Sequence, residues 1–212
     1  MVKALSTPES TSDQIIVLHN LDWETYERIM AAHSDASAPR FTYDQGDLEI
    51  MSPSPEHERL KEIATLLVNV WAEELGIDVI ALGSATFRRE DLRRGFEPDS
   101  CFYIQSVEKI RGKTRLDLAT CPPPDLLIEI DVTSPSINKL AIHAQVGAPE
   151  VWRYDGQRVI ILKLEGEAYT EQETSGSLMG LSSAIAARFL QSATSLRRPE
   201  WLRQLRECAR QK

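Results

Sequence analysis

The stretch Asp125-Leu-Leu-Ile-Glu-Ile-Asp-Val132 narrows the folding options of this chain more than any other. A strand sends alternate side chains to opposite faces, so Leu127, Glu129 and Asp131 share one face and Ile128, Ile130 and Val132 the other. The apolar run marks a central strand covered on both sides. Two acids inside such a strand are costly unless each is paired with a cation or bound to a metal. Either solution needs groups delivered from other parts of the chain.

Elements of both periods surround this strand. Leu21 to His33 predicts a short helix, with Asp22 as N-cap and Trp23, Tyr26 and Met30 three or four apart. Phe41 to Met51 alternates as a hairpin around a turn at Asp44-Gln45-Gly46. Ser54 then caps a helix with Pro55 at its first position, an apolar stripe of Leu60, Ile63, Ala64, Leu67, Trp71 and Leu75, and Gly76 as terminator. Further strands are predicted at Ile77 to Leu82 with a continuation through Phe87, at Pro98 to Gln105, Val151 to Tyr154, Gln157 to Leu164 and Ala168 to Gln172. Ser136 to Val146 predicts a helix with Ile137, Leu140, Ala141 and Ala144 inward, and Ser183 to Leu190 and Pro199 to Arg210 predict closing helices. The order implies an α/β or α+β fold, a mixed central sheet flanked by helices, with an N-terminal helix and hairpin. A length of 212 residues suits one domain, expected over residues 15–190. Residues 1–14 are expected as a flexible lead, and 191–212 as a basic C-terminal helix packed on the domain or extending from it.

Composition excludes several classes. With 42% hydrophobic and 26% charged residues, the chain is not wholly disordered. No apolar run approaches the roughly 18 residues of a membrane span, so no membrane partner is expected. Met1 to Asp13 is rich in Ser and Thr and shows no secretory signal. Cys101, Cys121 and Cys208 are too widely spaced for a zinc pattern or a disulfide framework, which suits the cytoplasm. The net charge of -8 is unevenly spread: Leu82 to Leu116 carries eight basic residues against five acidic, and Arg188 to Lys212 seven against two. Such a surface can hold a phosphate backbone, and solvated helix and loop faces explain the same pattern.

There is no Gly-rich phosphate loop, no Gly-x-Ser-x-Gly, no His-Glu-x-x-His and no Cys-x-x-Cys. The four histidines, His19, His33, His57 and His143, lie far apart in sequence and suggest no local metal cluster. That leaves carboxylates on strands. Glu97-Pro98-Asp99 opens a short apolar strand. If it neighbours the Glu129 strand, Asp99 and Glu129 converge on one hard divalent cation, Mg²⁺ or Mn²⁺, which needs few protein ligands beside water and substrate phosphate. Lys139 would then orient water or offset charge developing on phosphate. The rival reading is that Arg or Lys residues pair these acids and no metal is involved. Trp71 and Trp152 read as core aromatics, and Glu56 and Glu58 as acids at a helix N-terminus. Lys109 to Arg115 reads as an exposed basic loop.

Several motifs now occur in order: Gly46-Asp-Leu-Glu-Ile-Met-Ser-Pro-Ser-Pro-Glu-His57, Pro98-Asp99, Pro124-Asp-Leu-Leu-Ile-Glu129, Ser134-Pro135-Ser136, Lys139, and Gly147-Ala-Pro-Glu-Val-Trp-Arg-Tyr-Asp155. Together they resemble the Uma-type endonucleases, long catalogued as a domain of unknown function, of the PD-(D/E)xK superfamily. The resemblance spans roughly Leu21 to Leu164, most of a domain of this size. It implies a restriction-endonuclease-like core, Asp99 and Glu129 as metal ligands, and Lys139 as the catalytic lysine. It also implies DNA as substrate, hydrolysed by Mg²⁺-activated water, and a homodimer able to address two strands. The chain departs from the superfamily pattern two residues after Glu129, where Asp131 replaces the usual lysine. Asp131 is then expected to assist catalysis as a third ligand or as an ion-pair partner of Lys139. His57 is expected either to face the site as an accessory or to bond locally at its helix terminus. The replaced lysine and the net charge also fit a catalytically inactive binding or assembly module on the same fold.

Overall fold

Alternation and burial place the apolar strand at the centre of the molecule. The computed structural model describes residues 12–33, 38–114, 116–132 and 137–212. Residues 1–11 of the expected lead, Arg115 and the Ser134-Pro135-Ser136 motif lie outside them. The elements in order are β1 (Gln14–Leu18), α1 (Trp23–Ala32), β2 (Arg40–Asp44), β3 (Asp47–Ser52), α2 (Pro55–Glu74), β4 (Ile80–Ala81), β5 (Phe87–Arg89), β6 (Arg94–Phe96), β7 (Ser100–Tyr103), α3 (Val107–Ile110), β8 (Leu126–Ile130), α4 (Lys139–Val146), β9 (Glu150–Tyr154), β10 (Val159–Glu165), β11 (Ala168–Gln172), α5 (Ser183–Ser192) and α6 (Arg198–Arg210). Among the described residues the strands form two sheets, one ordered β11-β10-β9-β8-β7-β4 and the other β1-β3-β2-β6-β5.

Every residue of β8 is buried. It pairs antiparallel with β7 and parallel with β9, so it lies inside the six-stranded sheet. Leu126, Ile128 and Ile130 pack into a cluster with Leu60, Leu67 and Trp71 of α2, Phe189 of α5 and Trp201 of α6. Leu127 points the other way, into a cluster with Ile142 of α4, Val151 of β9, and Phe87 and Phe96 of the second sheet. The two faces are those that the alternation predicts.

The α2 helix follows its sequence signals closely. The Ser54 hydroxyl accepts from the His57 N–H at 3.2 Å, Pro55 sits in the first turn, and Gly76 takes φ +66° beyond the end. Val68, Val70 and Ala72 are buried as well, because α6 covers a second side of α2. Arg206 and Arg210 of α6 reach Glu74, while Trp201, Leu205 and Ala209 are buried. The basic C-terminal helix thus lies on the sheet face opposite Glu129. No helix among the described residues is long and apolar enough to cross a membrane.

Two departures from the expected elements concern the second sheet. Residue 14, read as part of the lead, opens β1, which pairs with β3 from Gln14↔Ser52 to Leu18↔Leu48. The strand expected to run from Ile77 through Phe87 is divided. Gly83 at φ +58° breaks it, β4 keeps only Ile80–Ala81, and Phe87 opens β5 in the other sheet. Trp23, Tyr26 and Met30 of α1 pack on Phe41, Tyr43 and Leu48, covering one face of the second sheet. Arg40, Thr42 and Glu49 alternate to its other face.

The contact between α1 and this sheet depends on a missing side chain. Gly95 of β6 lies opposite Tyr43, and a Cβ built on it would stand 2.1 Å from the Tyr26 hydroxyl oxygen. The Tyr26 ring, fully buried, stacks on Tyr43 at 4.8 Å and has little room to retreat. Gly95→Ala is expected to cost about 1–3 kcal/mol through overpacking, read from the urea unfolding midpoint. An unchanged midpoint would show that α1 is not packed against β6 in this way.

Candidate active site

The register of β7 on β8 pairs Ser100 with Ile128, which brings Asp99 alongside Glu129. Asp99 is 1% exposed and Glu129 2%. One Asp99 oxygen accepts from the Ile130 N–H at 2.6 Å. The other meets the Arg40 guanidinium and stands 2.8 Å from His57 Nε2. Arg40 comes from β2 of the second sheet and also reaches Glu58 of α2. His57 turns its Nδ1 to Asp13 at 3.0 Å, and Asp13 in turn accepts from the Ser54 N–H at 2.7 Å. A chain of side chains, Asp13–His57–Asp99, therefore ties the segment before β1 to the start of β7. Burial pulls both Arg40 and His57 below their ordinary pKa values, against the pull of the neighbouring acids.

Glu129 is compensated from α4. Asn138 caps this helix by accepting from the Ala141 N–H at 3.4 Å. Lys139 and His143, four residues apart, share a helix face. Lys139 Nζ donates to one Glu129 oxygen at 3.2 Å, and His143 Nε2 lies 2.9 Å from the other. The His143 ring is held edge-on against Phe96 at 4.8 Å. Burial pushes the Glu129 carboxyl up, but Lys139 and His143 outweigh it and hold the group at about 2. Burial lowers Lys139, and Glu129, Glu49 and Asp131 together raise it above its ordinary value. This geometry corrects the expected inner face of the helix: Ile142, His143 and Val146 are buried, while Leu140, Ala141 and Ala144 are only partly so. The helix begins at Lys139, and its phase is set by the two residues that reach Glu129.

Asp131, just past β8, bonds to Nε of Arg153 on β9. The parallel register pairs Arg153 directly with Glu129. Glu129, Asp131, Ile137, Asn138, Lys139, Leu140 and Arg153 line an open cleft of about 350 Å³. Glu129, Lys139 and Asp131 thus meet at one cleft, whereas Asp99 and His57, bonded to each other, do not line it. The local bond expected for His57 at its helix terminus exists through Ser54, and the same residue also reaches Asp99.

Sequence reasoning passed over Arg40, Asp13, Glu49, His143 and Arg153. Glu49 carried a readable signal, since it is an acid inside the apolar strand Leu48-Glu-Ile-Met51 and is 2% exposed. Of the four histidines, whose spacing suggests no metal cluster, His57 and His143 each end on one of the two central acids. The basic stretch after Arg88 is largely neutralised locally: Arg88 pairs with Glu27, Arg89 with Asp91, Arg94 with Asp44, and Arg111 with Asp78 and Glu108. Lys109 and Arg111 flank the end of α3, so that segment is partly helical.

A divalent cation fits the donor chemistry of the two acids. Both offer hard oxygen donors with lone pairs beyond the bonds described, although Arg40 and His57 on Asp99 and Lys139 and His143 on Glu129 already engage them. Among the described residues no cluster of three or more His, Cys, Asp or Glu side chains is arranged to hold a metal ion. Two carboxylates with water and substrate oxygen suffice for Mg²⁺, which seldom takes a full cage of protein ligands.

Comparison with known proteins gives one family and one fold. The model of the Uma2 family, described as "Putative restriction endonuclease", matches residues 23–194. The structure is similar to a crystal structure from Anabaena variabilis ATCC 29413, described as "a putative nuclease belonging to DUF820", with a TM-score of 0.54 and 18% identity, over 80% of this chain and 99% of that one. At that identity the likeness establishes the fold, which is restriction-endonuclease-like. No curated protein matches the chain.

The compensation of Glu129 has a pH signature. A carboxyl held below its ordinary value of 4.5 contributes stability that is complete above that pH and is lost as pH falls toward 2. The melting temperature of the wild type relative to Glu129→Gln should therefore drop between pH 4.5 and 2 and stay level above; a pH-independent difference would rule out an ionic role. Lys139→Met, which leaves Glu129 buried with His143 alone, should cost about 3–5 kcal/mol, and adding Glu129→Gln should recover part of the loss.

Proposed function

The chain belongs to the Uma2 family, and from that premise we propose that it is a metal-dependent endonuclease that hydrolyses phosphodiester bonds of DNA. The observation that carries this reading is the register of β7 on β8 that sets Asp99 beside Glu129, with Lys139 bonded to Glu129 in the wall of an open cleft. Asp99 and Glu129 would hold Mg²⁺ or Mn²⁺. A divalent cation bound there supplies a polarised phosphoryl oxygen and a water of lowered pKa.

The chain's own residues do the rest. His57, fixed by Asp13, and the Ile130 N–H hold the Asp99 carboxylate in one orientation. His143 does the same for Glu129. Lys139 places an ammonium at the cleft, where negative charge grows on the phosphoryl oxygens as the bond breaks. Asp131 lines the same cleft and assists from its edge. A homodimer would let two such clefts address two strands.

A second reading, a catalytically inactive module that binds nucleic acid or assembles with partners, draws on one specific feature. Both central acids are engaged by the protein's own cations, Asp99 by Arg40 and Glu129 by Lys139. A site neutralised from within can be purely structural.

Nicking of supercoiled plasmid separates the two. With Mg²⁺ or Mn²⁺ the wild type should nick the plasmid, and EDTA should stop it. Glu129→Gln and Lys139→Ala should each lose about 10²-fold or more, the size expected when a group that stabilises the transition state is removed. Loss in Glu129→Gln alone would keep the metal site and move the lysine's role elsewhere. Absence of cleavage by the wild type on DNA and RNA would favour the inactive module.

A further inference from the structure

Arg153 is the cation at the cleft that the mechanism above leaves without a task. The Arg40 guanidinium is buried and engaged by Asp99 and Glu58. The Lys139 ammonium is bonded to Glu129. Arg153 differs from both. It stands on β9 in direct register with Glu129, on the same sheet face, and a third of its side chain is exposed in the wall of the cleft. It is anchored through Nε alone, to Asp131, and its two Nη groups make no hydrogen bond to another described residue. A guanidinium bonded at Nε alone keeps its two Nη groups, a planar set of N–H donors, for another ligand. That set matches two oxygens of a phosphodiester. Asn138, in the same cleft, uses its carbonyl oxygen to cap α4, which leaves the amide nitrogen as a further donor.

We propose that Arg153 binds a substrate phosphate at this cleft and that Asp131 is the positioning residue that aims it. The proposal rests on the phosphodiester reading of the site and adds the group that grips the substrate there. It also gives Asp131 a definite task. An acid placed at the cleft would repel a phosphate by itself, but its charge is offset by Arg153, which lines the same cleft.

Binding and cleavage test the two levels separately. A short fluorescent DNA duplex is titrated with the full-length protein in EDTA, so that nothing is cut, over a series of salt concentrations. Arg153→Gln should raise Kd about tenfold and lower the salt slope by about one, the signature of one lost phosphate contact. Arg153→Lys should restore the slope but only part of the affinity, since it keeps the charge and loses the fork. Asp131→Asn should weaken binding in the wild-type background and add nothing in the Arg153→Gln background, because it acts through Arg153. Thermal melts identify any variant that fails to fold, and Arg153→Lys, which keeps the charge in the sheet, provides the fallback.

An Arg153→Gln protein that melts like the wild type and binds duplex with the same Kd and salt slope would overturn the assignment. If the wild type still nicks plasmid, that result leaves the nuclease reading standing. A wild type that binds duplex through Arg153 but cuts nothing would keep the phosphate contact and lose the nuclease reading. A wild type that neither binds nor cuts would remove both.

Discussion

Two buried carboxylates must be compensated, and most of the architecture around β8 follows from how that is done. An unpaired charge in a closed interior costs several kcal/mol, a large share of the 5–15 kcal/mol by which a domain is stable. Asp99 and Glu129 are each met by one permanent cation and one histidine, and none of the four comes from the strands that carry the acids. Arg40 arrives from the second sheet, His57 from the start of α2, and Lys139 and His143 from α4. The two sheets are therefore joined by charge at the place where β7 and β8 run side by side. Removing the second sheet would leave Asp99 without its guanidinium.

The rest of the electrostatics is of a different kind. The arginines after Arg88 and those of α6 form many ion pairs, nearly all at the surface, where such a pair contributes at most about 1 kcal/mol. They account for the basic look of two segments in an otherwise acidic chain. They do not gather at the cleft. The helix α6 lies across the sheet from Glu129, so its basic face and the central acids cannot serve one short ligand together. What distinguishes the cleft is that Lys139 and Arg153 both line it, each held there by an acid. Arrangements of this type favour binding of an anion at a defined spot over general attraction to polyanions.

Much of this was written plainly in the chain. The apolar strand with Glu129 and Asp131 on one face, the capped α2 helix and the β2–β3 hairpin all rest on local signals: a period of two, a stripe at three and four, a Ser-Pro start, a Gln-Gly turn with positive φ. β1 was hidden because a strand's worth of Ile and Val at the edge of a polar leader has no local partner; only pairing with β3 makes it a strand. The division at Gly83 was hidden for a similar reason. Leu82 and Phe87 are both good strand residues, and which sheet each joins is settled by packing, not by propensity.

Local patterning alone embeds two acids beside apolar neighbours, on one face of a central strand, with a lysine ten residues beyond the first of them. Those facts need only the alternation of a strand and the hydrophobicity of its residues. Which cation would meet which acid was decided in three dimensions. Asp131 binds Arg153 and not Lys139, because the parallel register of β8 and β9 sets Arg153 beside it while Lys139, at the start of α4, turns to Glu129. His57 and His143, 86 residues apart in the chain, end within hydrogen-bond distance of neighbouring carboxylates. Charge compensation acts through space over a few ångströms, and a linear sequence carries no measure of that distance.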